Sequence, residues 1–290
     1  MPLIKALCLP WAYVVAAAFL AALIAYPLLG LFEEPDVSLL RSLVSRIGQA
    51  FLLFGLWPIH RALGLCGRDF GLAPPGVRLF FLGFALGLLT LSLQGGLLVG
   101  LGIRHWAPPI AGVRFYLQGL GSAALTGMAV ALLEESLFRG ALLAILLKWT
   151  SARVAILISA FDYAALHFIS SHWVSASGTL GWDSGFRIAL DGFLELAKAD
   201  PSSFLALFAA GLFLGQVRLS LPGGLLAVIG IHAGWVLIVR LIKSLTRVND
   251  ESGLLMLIGH YDQVIGLISL IWLLPLVLLG TPRRLGARFP

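Results

Sequence analysis

The stretch ALLEESLFRGALLAILL, residues 131–147, sets Glu134, Glu135 and Arg139 in the middle of an otherwise apolar run. In a soluble helix three such charges are ordinary. At the centre of a bilayer each costs roughly 2.5–3.5 kcal/mol and faces a cavity or the bundle interior. The solvent of the chain therefore decides how the stretch is read. Of the 290 residues, 59% are hydrophobic and 12% charged; a soluble domain carries about 25% charged residues. Mean hydropathy is +0.97. The chain reads as an integral membrane protein, and the charges of 131–147 as groups with a task.

Working outward, a transmembrane helix needs about 20 mostly apolar residues. Blocks of that length predict eight spans, at about 11–32, 47–65, 79–103, 121–148, 153–170, 202–220, 222–244 and 262–281. The expected architecture is all-α, a polytopic bundle of about eight helices in a single membrane domain over 1–290. Residues 171–200 read as one long connection. The first block is too long for the apolar core of a secretory signal and only Lys5 precedes it, so it reads as an uncleaved span. Lys and Arg divide ten to nine between the two faces once Arg139 is set aside, which leaves the orientation undetermined. The absence of eukaryotic targeting signals points to a prokaryotic plasma membrane.

A net charge of +6 fits loops facing anionic headgroups and makes no case for nucleic acid. Arg283, Arg284 and Arg288 read as a headgroup-binding tail. Cys8 and Cys66 offer neither a disulfide framework nor metal-ligand spacing. The expected partners are membrane lipids and a membrane-associated protein or peptide.

Inside the fourth span, Glu135 and Arg139 are four residues apart in the order that favours an ion pair. Glu134 lies about 100° around the helix and is left without a local partner. The fifth span carries Asp162, Tyr163 and His167, and the seventh carries His232. Counted from a shared face of the bundle at 1.5 Å per residue, Glu134, His167 and His232 lie about 20, 21 and 17 Å deep. One carboxylate and two imidazoles thus reach roughly one plane. Such a trio suits activation of water by proton transfer. It equally suits a zinc ion with three ligands and an open fourth position. At this stage the cofactor is either such a metal or none, and the HExxH signature is absent.

These residues resemble a known family. EESLFR (134–139) is similar to the EExxxR first motif of the CPBP family, the CAAX-protease and bacteriocin-processing intramembrane endopeptidases, also called Abi proteins. YAALH (163–167) resembles its FxxxH motif and HAGWV (232–236) its HxxxN motif. The resemblance covers about residues 120–240, which would form the catalytic core. It implies an intramembrane peptidase in which Glu134 activates water, assisted by His167, and His232 helps bind the oxyanion. Glu135 and Arg139 would hold the geometry. Two positions depart from the pattern: Tyr163 stands for phenylalanine and Val236 for asparagine. The second removes a polar group, and one lost oxyanion donor costs about 10²–10³ in rate.

Two rival readings stand beside the peptidase. A catalytically degenerate member acting as a scaffold or regulator is favoured by Val236. A proton-coupled transporter also needs buried carboxylates and histidines, but it predicts broken helices and an internal repeat that the sequence lacks. Elsewhere, Asp162 reads as an ion-pair or pore-lining residue with Arg139 as a candidate partner. Gln94 and Gln216 read as interhelical hydrogen-bonding groups, and Trp106, Trp173, Trp182 and Trp272 as interfacial or lipid-facing bulk.

Overall fold

The computed structural model describes residues 2–74, 76–110, 112–175 and 178–280. The arginines of the C-terminal tail lie outside the described residues. The chain is all-helical apart from one two-stranded antiparallel ribbon, as the apolar blocks imply. Five helices are long and apolar enough to cross a membrane: α1 (Pro2–Leu29), α2 (Val37–Phe54), α4 (Gly76–Gly100), α9 (Pro201–Ser220) and α10 (Gly224–Leu245). The predicted fourth span is a helical rod built from α5 (Val113–Glu135), a π-helical segment (Ser136–Leu142) and α6 (Leu143–Trp149). The predicted fifth and eighth spans are α7 (Ala152–Leu166) and α11 (Leu267–Leu279), of 15 and 13 residues. Every predicted block is therefore helical, but helix length does not establish eight crossings.

Two expectations are corrected. The second span starts ten residues earlier than its apolar block, because the Asp36 carboxylate caps α2 by accepting the Leu39 amide at 2.7 Å. It breaks at Gly55, and the short α3 (Leu56–Ala62) follows. The connection 171–200 contains a helix, α8 (Trp182–Glu195). Its buried face is Ser184, Gly185, Ile188, Ala189 and Gly192, a mostly small-residue stripe that lies on α1 and escapes a search for apolar runs.

At the centre stands α10, packed by α4, α5 and α9. Its approach to α4 is set by reciprocal glycines. A Cβ on Gly87 would collide with the carbonyl of Ile231, and one on Gly230 with the carbonyl of Phe80. Small residues at such a crossing let two backbones approach closely, which is how helices associate when lipid removes the hydrophobic drive. The seam places the middle of α10, and His232 with it, deep in the bundle. Strand β1 (Arg104–Trp106) pairs antiparallel with β2 (Thr246–Val248) just past the ends of α4 and α10. That ribbon ties down the loop 249–266, with Arg104 of β1 donating to the Gln263 carbonyl.

Candidate active site

Glu134 and Glu135 close α5, and the helix then widens into the π segment. Such single-turn π insertions occur often at functional sites. The Ser159 hydroxyl of α7 donates to the Phe138 carbonyl within it at 3.0 Å, fixing α7 against the rod. The two glutamates diverge from there.

Glu135 is fully buried and serves two partners through one oxygen. Its Oε1 accepts from Arg139 Nη1 at 2.9 Å and from His232 Nδ1 at 2.8 Å. Arg139, also buried, lies with its guanidinium carbon 4.1 Å from the centre of the Tyr163 ring. Arginine, carboxylate and imidazole thus form one chain in a place where an unpaired charge would be costly. The expected Glu135–Arg139 pair is present; its extension to His232 joins residues 97 positions apart and has no counterpart in local spacing.

Glu134 faces the other way. Its Oε2 lies 3.5 Å from His167 Nε2 and 3.9 Å from His232 Nε2, and has no hydrogen-bond partner among the described residues. His167 caps the end of α7 and donates from Nδ1 to the Tyr163 carbonyl at 2.7 Å, satisfying an acceptor that the helix end leaves open. Because the Nδ1 atoms of both histidines donate to oxygens, both Nε2 atoms are turned toward Glu134. A proton between them can be held by any of the three groups.

This trio lies on the wall of a cavity of about 480 Å³. Val236 and Tyr163 line the cavity too, with Gln94, Tyr261, Asp262, Arg240 and Lys243. Tyr261 and Asp262 come from the loop before α11, and their approach was not legible in the sequence. Their only local signal is a pair of polar residues in an otherwise apolar run.

Residues 117–238 match the model of the Rce1-like family, type II CAAX prenyl endopeptidase Rce1-like. The matched segment, less than half of the chain, is similar to an Rce1-like domain. It contains all three motifs, with Glu134, His167 and His232, but neither the first four helices nor Tyr261. The Rce1-like family is a protease family, and the chain that carries this segment has five helices long and apolar enough to cross a membrane. No curated protein and no solved structure matches the chain.

Three further expectations are settled by packing. Asp162 does not pair with Arg139; it accepts from the Trp11 indole at 2.9 Å. Gln94 does bond across helices, donating to the Val264 carbonyl and accepting from Ser269 and Trp272. Trp272 is therefore a cavity-lining hydrogen-bond donor rather than lipid-facing bulk. As for a metal, among the described residues no three His, Cys, Asp or Glu side chains are grouped so as to hold an ion.

Proposed function

We propose that the chain is an intramembrane endopeptidase that hydrolyses a peptide bond of a membrane-associated protein or peptide, with Glu134 as the base that activates water. One observation carries the reading: a carboxylate oxygen with no hydrogen-bond partner among the described residues faces two imidazoles on the wall of a cavity large enough for an extended peptide segment.

In the step that follows, Glu134 takes a proton from water and the water oxygen forms a bond to the peptide carbon. The carbonyl π electrons move to oxygen. Collapse of that oxyanion re-forms the carbonyl and breaks the C–N bond, and the proton held by Glu134 or His167 passes to the leaving nitrogen. Glu135 holds His232 by its Nδ1 hydrogen and Arg139 holds Glu135, so both act by positioning. The substrate class is a prenylated CAAX-type carboxyl terminus or a leader or sorting peptide.

The test is purified protein in liposomes with fluorogenic peptides of both classes. Glu134→Gln, which keeps shape and removes the base, is expected to lower turnover by about 10²–10⁴ while the melting temperature holds. A second reading, a scaffold without activity, is supported by Val236 on the cavity wall. It predicts no Glu134-dependent cleavage of any probe, and that result would overturn the peptidase.

A further inference from the structure

Resting on the hydrolytic reading above, we propose that Tyr261 is a further catalytic residue, donating from its phenol to the oxyanion that Val236 cannot serve.

Hydrolysis at Glu134 places negative charge on the former carbonyl oxygen, and preorganised donors at that point supply a large share of rate enhancement. Most donors around the cavity are already committed. The Trp235 and Trp272 indoles donate to Thr90 and Gln94, and the Gln94 amide to the Val264 carbonyl. His232 spends its Nδ1 hydrogen on Glu135, so its Nε2 donates only when the ring is doubly protonated. One helical turn further along α10, Val236 presents only methyl groups. Arg240 and Lys243 are cations on the same wall, but at 8 and 11 residues beyond His232 they lie about 12 and 16 Å along the helix.

Two neutral phenols remain on the cavity wall, Tyr163 and Tyr261; the Tyr163 ring is buried against the Arg139 guanidinium, which leaves Tyr261 as the exposed one. Its ring centre is 6.0 Å from that of His167, edge to face, and it lines the same cavity as Glu134 and Val236. Among the described residues no hydrogen bond engages its hydroxyl. The residue is 44% exposed. Packing around the ring, and next the Glu134 charge, push its pKa up, so the phenol keeps its proton at neutral pH.

The loop is built to hold it there. Gln263 adopts a left-handed φ of 62°, uncommon for a residue with a side chain. Its carbonyl accepts from buried Arg104 at 3.0 Å. The Asp262 carboxylate accepts the amides of Val264 and Ile265 at 2.9 and 2.7 Å, and the Gly259 amide donates to the Ile265 carbonyl at 2.9 Å. The strand carrying Arg104 thus fixes a phenol beside the trio, from outside the segment that matches the Rce1-like family.

The test compares wild type, Tyr261→Phe and Tyr261→Phe/Val236→Asn in the liposome assay, with melting curves for each. Tyr261→Phe is expected to lower kcat about 10²-fold with KM within about twofold. Val236→Asn in that background, returning a donor to α10, is expected to recover at least about tenfold. Undiminished kcat in Tyr261→Phe overturns the assignment. So does a loss that the asparagine does not rescue, which marks a packing role. Both results leave Glu134-dependent hydrolysis standing in the wild type. If that hydrolysis is itself absent, the peptidase reading falls and this assignment with it.

Discussion

Two carboxylates, Glu134 and Asp162, are carried by apolar helices and flank α7 in unlike surroundings. Glu134 opens on a cavity of about 480 Å³ and faces two imidazoles. Asp162 is 4% exposed in an apolar cleft of about 80 Å³. There it accepts the Trp11 indole on Oδ1 and leaves Oδ2 without a partner among the described residues. The phenol in that cleft, Tyr13, is spent on the carbonyls of Phe51 and Leu52. His167 is five residues beyond Asp162, about 140° around the helix, and so serves the other side. Membrane depth alone therefore does not make a carboxylate reactive. Partners that can share a proton, and room for a substrate, do.

The largest effect that would sharpen this contrast belongs to Glu135. Its carboxylate anchors both Arg139 and His232, so Glu135→Ala strands a buried guanidinium. A loss of about 3–5 kcal/mol is expected for breaking a buried pair from one side, read by chemical denaturation in detergent, together with loss of activity. A variant as stable as wild type would mean that the chain from Arg139 to His232 is not what holds the site.

A smaller effect is expected on the other side of α7. Trp11→Phe removes the donor to Asp162 and keeps the ring, so stability should fall by about 1–3 kcal/mol for an acceptor left unsatisfied. Turnover of the folded variant should stay within about twofold. Turnover falling as it does for Glu134 would join the two regions that the contrast separates.

The smallest effect belongs to a third carboxylate, outside the spans. Asp191 on α8 accepts from the Ser171 hydroxyl and from the amides of His172 and Trp173 at 2.8–2.9 Å, pinning the chain just after His167. The Ser171 hydroxyl first, then those amides, hold its carboxyl below the usual range. A lowered folded pKa gives stability that is present above the unfolded value, about 3.9, and is lost as pH falls through the folded one. Asp191→Asn should therefore lower the melting temperature modestly at pH 7, with a gap that narrows below about pH 4. A gap independent of pH would assign the effect to packing instead.

How far the sequence reached follows from the range of each interaction. Helical blocks were legible because apolar runs report burial in lipid directly. The Glu135–Arg139 pair was legible because four residues make one helical turn. Depth counting brought Glu134, His167 and His232 to one plane, since rise per residue is constant. The link from His232 to Glu135 was not legible, because it depends on how α10 rotates, and that rotation is set by the glycine seam with α4. Asp162 went to Trp11, 151 residues away, rather than to nearby Arg139, because α7 turns Asp162 toward α1 and its neighbour Tyr163 toward Arg139. Helix α8 is amphipathic rather than uniformly apolar, so a search for membrane-length apolar runs passes over it, as it does the polar loop bearing Tyr261.

The most direct measurement of the central claim sets Glu134→Gln beside Asp162→Asn in one liposome peptidase assay, each variant checked for an unchanged melting curve. The account predicts that the first is inactive and the second turns over within about twofold of wild type. Equal activities in the two variants, whether both retained or both lost, would contradict it.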